Sequence, residues 1–544
     1  MLPPVGMLFL GSATDTPPGL SPHFTFETIL RAYGDQRIYT ALVNSVLYAG
    51  ATATLVLIIG GFLAWLVERT DSSVRRMTDL FTLTPLLMPA VLLVSGWILL
   101  LGPRTGIVNL IAMDLFGLQQ APLNIYSFWG MIWVGTLQEL PLAFLWLWPA
   151  FRSMNPEFEE AAVIAGAGNL TVLRRITLPI LRPAILGAWT IFFIYSLGAL
   201  SVPLLIGLPA GIFVYASEIY LASAQMPTDH NLASAYSLLL VFVTVVGIYA
   251  YRRSVADAGR FATITGRGYR PRLVRIGRGW RSVITAFAVF TLLMIAGLPL
   301  LVLLWNSFMP YPQVPSWRSL ELFTLRNYEL AYGYGPAKRA VLNSLLLGLA
   351  AGLATTLLGA LIAWTSVRIG AANRLVAWLD QFATIPIAIP GLIVGVSLLW
   401  LALMLPALLY GSHLILLLAY VILHLPYAVR ICASGLSQIH HELEEAGYVS
   451  GAPWATVFRR ITLLLLTPAL VGSVIYVTLR SFREYAASLF LTAPGTEVFS
   501  VLVLDMWEAG NSSVLSAYVS VVVVLLALTL ILLYRIGRRV GIRY

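Results

Sequence analysis

NSVLYAGATATLVLIIGGFLAW (Asn44–Trp65) and NSLLLGLAAGLATTLLGALIAW (Asn343–Trp364) are two versions of one segment, displaced by 299 residues in a chain of 544. Neither carries a charged side chain. A helix needs about 20 predominantly apolar residues to cross a bilayer, and each copy meets that length. The other spanning solution is a closed β-barrel, whose strands alternate strictly between apolar and polar residues. Alternation is absent here, and continuous apolar runs such as Ser520–Tyr534 also read as helix. The segment therefore sets two expectations: the chain is all-α in a membrane, and it is duplicated.

Composition agrees with the first expectation. Apolar residues make up 59% of the chain, charged residues 11%, and the mean hydropathy is +0.85. A soluble domain carries about 25% charged residues. Polar breaks divide the sequence into eleven expected full spans: Ala41–Val67, Leu80–Leu101, Ile125–Phe151, Ala184–Leu205, Leu232–Tyr251, Val283–Trp305, Val341–Val367, Phe382–Leu405, Leu414–Ile431, Thr467–Phe490 and Ala517–Tyr534. Leu2–Leu10 is apolar but too short to cross. Cys432 is the sole cysteine, which excludes an intrachain disulfide and a cysteine metal site; inside an apolar segment it reads as a small buried side chain.

The duplication extends outward from the opening segment. Phe24-Thr25 returns as Phe323-Thr324, Ala32-Tyr33-Gly34 as Ala331-Tyr332-Gly333, and Pro85 and Pro89 as Pro386 and Pro390. Further on the displacement is 285: Pro141 matches Pro426, Glu160 matches Glu445, Pro183 matches Pro468, and Pro209 matches Pro494. The plan is two tandem six-helix halves, residues 1–251 and 282–544, joined by a linker over 252–281, about 12 transmembrane helices with the first truncated. Leu2-Pro3 aligns with Leu298-Pro299, so the first half begins partway through its own first helix, and a misassigned start is the favoured explanation. Parallel repeats imply a pseudo-two-fold axis along the membrane normal with a pathway between the halves.

Arginine distribution orients the chain. With the loop after Phe151 inside, the inner segments hold 25 basic residues and the outer ones seven, an asymmetry that marks the cytoplasmic side. The linker contributes nine arginines against Asp257 alone. The net charge of +10 is thus a product of topology, with anionic membrane lipids as counter-charge, and calls for no nucleic acid.

The cytoplasmic loop after Phe151 carries the most chemistry. Asn155-Pro156-Glu157-Phe158-Glu159-Glu160-Ala161-Ala162 reads as the start of a short helix: Asn155 caps it, Pro156 suits its first position, and three glutamates complement its positive end. Gly166 and Gly168 end it. A slim, exposed helix of this kind has the shape to dock in another protein's cleft. The pattern Glu160-Ala161-Ala162, Gly166, Ile176, Leu178-Pro179 resembles the signature loop of type I ATP-binding-cassette import permeases, the binding-protein-dependent inner-membrane components. Glu445-Ala446-Gly447, Gly451, Ile461 and Leu463-Leu464 match it a second time, with Gly447 and Leu464 departing from the pattern and leaving the second helix's shape open.

The resemblance implies a type I importer permease fold and a multi-pass plasma-membrane (inner-membrane) location. It implies two copies of a cytoplasmic ATP-binding subunit, one at each loop, and a periplasmic or extracellular substrate-binding protein. Glu160, Ala161, Ala162, Gly166, Glu445, Ala446 and Gly451 would form the ATPase-coupling sites. The chain would not itself be an enzyme and would need no cofactor: a P-loop requires a lysine after glycine, and the single lysine, Lys338, follows Ala337 on the expected outer face. The linker Gly259–Arg272 and the stretches Phe482–Ser488 and Pro494–Val498 are similar to fused permeases of the ferric iron branch. Thiamine, phosphonate or polyamine import on the same architecture is the alternative, and an ion-gradient-driven secondary transporter is the reading from a different class.

Ionisable residues within spans are costly and mark candidate pathway positions. Glu139, His424, Arg480, Arg483 and Glu484 qualify, and Glu139, His424, Arg483 and Glu484 are the pathway candidates. Glu139-Leu140-Pro141 and His424-Leu425-Pro426 are equivalent by the repeat, so these two either line a pathway or hydrogen-bond within their own halves. Arg483 and Glu484 are helix neighbours pointing to different partners, as substrate contacts or as structural bridges. Gly348 and Gly352 read as a close helix-packing pair.

Overall fold

The computed structural model describes residues 2–78, 80–81, 89–255, 273–274, 276–370, 373–405 and 409–539. Pro85 and the linker stretch Gly259–Arg272 lie outside the described residues. Within them the chain is helical, with two isolated bridges, Thr14 to Phe24 and Thr70 to Val274, in place of strands. Nine described helices are long and apolar enough to cross a membrane: Gln36–Arg69, Phe128–Ser153, Asn169–Leu197, His230–Tyr249, Gly279–Ser307, Gly335–Ile369, His413–Ser437, Trp454–Phe482 and Ser512–Thr529.

Two expected spans are interrupted. Where Leu80–Leu101 and Phe382–Leu405 were expected, the structure has the shorter helices Ala90–Leu101 and Gly391–Met404. Each begins immediately after a proline, Pro89 or Pro390, held in an extended conformation. Proline supplies no amide hydrogen and drives the residue before it out of helical geometry, so a hydropathy window reads straight through a real break. Both short helices are buried almost throughout, which explains why they are apolar on every face. The helices Pro203–Ala210 and Tyr215–Ala224 form a further broken element, bent by 91°.

Packing explains which residues the duplication retained. Asn44 Nδ2 donates to the Phe213 carbonyl at 2.9 Å, and Ser45 Oγ accepts from the Tyr215 amide at 2.6 Å. In the second half Asn343 Nδ2 donates to the carbonyls of Gly495 (3.2 Å) and Glu497 (3.0 Å), and Ser344 Oγ accepts from the Phe499 amide at 2.8 Å. The repeated Asn-Ser pair thus pins a loop whose backbone would otherwise lack partners in an apolar setting. Gly60 and Gly359, also equivalent, bring their helices close: a Cβ on either would lie 3.0 Å from Ala143 or 2.8 Å from Ala428. Gly348 and Gly352 serve the expected packing role: a Cβ on either would lie 3.0 Å from the Thr478 carbonyl oxygen or 2.9 Å from that of Val474.

The chain forms two compact units. One comprises Met1–Arg31, Ala222–Leu238 and Tyr328–Tyr544; the other, Ala32–Leu221 and Leu239–Asn327. In the first unit the short helix Leu2–Ser12 packs on Gly391–Met404, with Gly11 against the Trp400 ring and Asn231 Nδ2 donating to the carbonyls of Gly11 and Thr14. In the second unit the helix Leu298–Ser307 packs on Ala90–Leu101, with Pro299 against Gly96. Each half's opening helix therefore belongs to the compact unit formed mainly by the other half.

Candidate coupling site

The first signature loop forms the helix Glu157–Ile164. Asn155 Oδ1 accepts from the Glu157 amide at 2.9 Å, and Glu157, Glu159 and Glu160 occupy the first turn, where the exposed amides favour negative charge. Gly166 follows with φ +88°, a left-handed conformation that costs a side-chain-bearing residue about 1–2 kcal/mol. The second loop forms His441–Val449 and ends the same way, at Gly451 with φ +80°.

One carboxylate in each loop turns inward. Glu159 is buried, ion-paired to Arg69 at 3.2 Å, and accepts from Thr177 Oγ1 at 2.5 Å. Arg69 also donates to the carbonyls of Phe151 (2.8 Å) and Met154 (2.9 Å). The second loop repeats the clamp: Glu444 pairs with Arg368 at 3.1 Å and accepts from Thr462 Oγ1 at 2.7 Å, and Arg368 donates to the Ile439 carbonyl at 3.2 Å. Three parts of each unit are thus tied together: the end of a long helix (Arg69, Arg368), the loop helix (Glu159, Glu444) and the start of the next long helix (Thr177, Thr462). A buried ion pair is sensitive to loss of either partner, since the survivor keeps its charge without water, at about 3–5 kcal/mol.

The expected coupling residues lie on the opposite surface. Glu160, Ala161 and Gly166 are exposed and Ala162 half-buried; Glu445, Ala446 and Gly451 are exposed. Beside them the structure adds apolar side chains that the sequence reading did not select: Phe158 and Ile164 in the first loop, Leu443 and Val449 in the second, all exposed. Sequence reasoning also missed the clamp. Its signal was available in the repeat, because Arg69 and Arg368 are 299 apart, while Glu159 and Glu444, and Thr177 and Thr462, are 285 apart. Gly447, one of the two departures from the pattern, has a packing reason: a Cβ there would lie 2.9 Å from Val457 Cγ2 and 3.1 Å from Ile461 Cδ1.

The other candidates are distributed between the units. Glu139, in one, accepts from Gln138 Nε2 at 3.5 Å, and Gln138 Oε1 accepts from Ser201 at 3.2 Å. His424, in the other, is buried near the rings of Tyr420 and Tyr427, and neither ring nitrogen has a hydrogen-bond partner among the described residues. Nearby, the Arg480 guanidinium lies over the Tyr427 ring at 5.4 Å, and Tyr427 packs on Tyr476 at 5.6 Å. Arg483 closes the helix Leu463–Phe482. Glu484 Oε1 accepts from the Ala487 amide at 3.0 Å, and its carbonyl accepts from Ser488 and Ser500, so it holds the turn into the short helix Ser488–Leu491. Among the described residues no three His, Cys, Asp or Glu side chains gather as a metal site.

A polytopic all-α chain, duplicated, with a short loop helix clamped at the same place in each half, has the form of a transport permease. The chain belongs to the family of binding-protein-dependent transport system inner membrane components, whose profile matches residues 56–256 and 355–542. It is accordingly the fused, two-domain permease of an ATP-binding-cassette importer, a multi-pass inner-membrane protein of a transport family rather than an enzyme family. It is 28% identical to the ferric transport system permease protein FbpB of Actinobacillus pleuropneumoniae over 92% of this chain and 72% of that one. The putative ferric transport system permease protein FbpB 1 of Haemophilus influenzae is 27% identical over 88% of this chain and 74% of its own length. A putative 2-aminoethylphosphonate transport system permease protein, PhnV of Salmonella typhi, is 28% identical over 44% of this chain and 85% of that one.

Proposed function

We propose that the chain is the membrane channel of an ATP-driven ferric iron importer, worked by two copies of a cytoplasmic ATP-binding subunit and fed by a ferric-loaded binding protein. The observation that carries the mechanical part is the duplicated clamp. A loop helix fixed by a buried ion pair to the helices on either side of it passes a push into the membrane rather than absorbing it. The faces turned outward, Phe158, Glu160, Ala161 and Ile164 on one loop and Leu443, Glu445, Ala446 and Val449 on the other, are small-apolar-acidic surfaces suited to a protein cleft. Gly166 and Gly451 then turn the chain sharply back toward the membrane.

Iron as the cargo rests on relatives named for ferric transport that align with both halves, whereas the phosphonate relative aligns with fewer than half of the residues. Glu139, His424 and Arg483 would line or gate the path. Glu484 would support it from behind, given the backbone groups it already holds. No metal site within the chain is required, because the binding protein would carry the ion to it.

The test is reconstitution in proteoliposomes with the cognate ATP-binding subunit and binding protein. ATP-dependent accumulation of ferric iron supports the reading. ATP-dependent uptake with a phosphonate, thiamine or polyamine ligand alone keeps the permease and discards iron. Uptake by the chain on an ion gradient without the ATP-binding subunit overturns both.

A further inference from the structure

The two clamps are not equivalent, and the difference lies in what braces them. After Arg69, the segment Thr70-Asp71 is bound to the end of the interdomain linker. Val274 donates its amide to the Arg69 carbonyl at 2.9 Å, and its carbonyl accepts from the Asp71 amide at 3.3 Å. Asp71 Oδ1 accepts from the Ile276 amide at 2.9 Å, and Arg281 forms an ion pair with Asp71. Arg281 Nε donates in turn to the Ile276 carbonyl at 3.0 Å, and Ser73 Oγ lies 2.6 Å from Thr285 Oγ1. Val274 borders the same small cavity as Arg69, Glu159 and Thr177. The linker's end is therefore laid along the backbone of the very residue that clamps the first loop helix.

The second half has no carboxylate in that place. At the displacement of 299, Asp71 corresponds to Gly370, which has φ +83°, and Thr70 to Ile369.

We propose that Asp71 and the linker-end residues Val274, Ile276 and Arg281 are a positioning device for the first coupling helix, a strap that braces one of the two sites where ATPase motion enters the membrane. Asp71 acts through Arg69 and touches neither cargo nor ATPase. The inference rests on the docking of ATP-binding subunits at the two loops.

The experiment measures molecules transported per ATP hydrolysed by the full complex in proteoliposomes. Asp71→Ala is expected to lower that ratio about threefold to tenfold, within the range by which residues remote from both sites alter coupling. The pair Ser73→Cys and Thr285→Cys places two thiols where a disulfide closes the strap covalently, and native Cys432 is fully buried. Added to Asp71→Ala and oxidised, this pair is expected to restore the parental ratio, and reduction to remove it again. A merely structural loss at Asp71 would not return and vanish with the redox state of a bond about a turn away. An unchanged ratio in Asp71→Ala, or a loss that the oxidised crosslink leaves uncorrected, overturns the strap. The double variant Glu160→Ala with Glu445→Ala separates the two levels. If it too leaves the ratio unchanged, the docking reading fails; if it lowers the ratio while Asp71→Ala does not, the strap alone fails.

Discussion

The first and second signature loops share a clamp and differ in almost everything around it. Arg69 is 1% exposed and its Glu159 partner is 9% exposed, while Arg368 and Glu444 stand at 10% and 7%. The first loop's arginine holds two carbonyls besides the carboxylate and lies beneath the linker; the second holds one carbonyl. The outer faces diverge as well. His441 Nδ1 lies 2.9 Å from Glu445, whereas Pro156 occupies the corresponding place before Glu160. The clamp is common to the two halves, and the contacts that mount it differ between them. A fused chain permits this, because one linker breaks the symmetry that two copies of a single half would keep.

The largest effect should come from opening the tighter clamp. Arg69→Ala leaves Glu159 buried beside Thr177 without its counter-charge and takes the donors from two carbonyls. The expected cost is about 3–5 kcal/mol, with loss of transport and a lowered melting temperature in detergent. Arg368→Ala should do the same to a smaller degree, because its partners are fewer and its side chain is nearer water. Equal losses in the two variants, read by thermal melting, would break the asymmetry argued above.

Next in size is a functional effect without a structural one. Glu160 and Glu445 are exposed, so replacing both with alanine should leave the melting temperature within about 1 °C of the parent, as surface substitutions generally do. Transport should still collapse, because the proposed docking surface for the ATP-binding subunit changes. Binding of that subunit to detergent-solubilised permease is the measurement, and undiminished binding would remove these residues from the coupling surface. Gly166→Ala and Gly451→Ala follow, each expected to cost about 1–2 kcal/mol at a left-handed turn with open space around it. Since the strain is local and alike at both turns, similar losses are expected; a larger loss at Gly166 would extend the asymmetry beyond the clamp.

These contrasts also show how far the sequence could be read. Its repeat located the loops and the Asn-Ser anchors, because identity at a fixed displacement survives wherever a side chain binds backbone. Hydropathy placed most of the long helices and ran straight through Pro89 and Pro390, where only the repeated prolines themselves signal a kink in an otherwise continuous apolar run. Glu160 was singled out by the family pattern, yet Glu159 makes the clamp. Adjacent residues on a helix point about 100° apart, and only the location of Arg69 and Thr177 decides which one faces inward. The exchange of Leu2–Ser12 and Leu298–Ser307 between the compact units was equally hidden, since an apolar helix carries no mark of which apolar surface it will meet.

The smallest effect tests the departure at Gly447, where the first loop has Ala162. Gly447→Ala should gain helix propensity, at most about 1 kcal/mol, in the last turn of His441–Val449. Against this, the new methyl group would lie 2.9 Å from Val457 Cγ2, and Val457 is 1% exposed with no open side to move toward. Overpacking of that kind costs about 1–3 kcal/mol, so the sum should be a slight destabilisation rather than the gain propensity alone predicts. Shrinking the obstacle should reverse the sign: Gly447→Ala combined with Val457→Ala is expected to melt above Val457→Ala alone, the propensity gain then standing against only the flexible end of Ile461. If Gly447→Ala by itself raises the melting temperature, the glycine is not there for packing, and the second loop's departure from the first needs another cause.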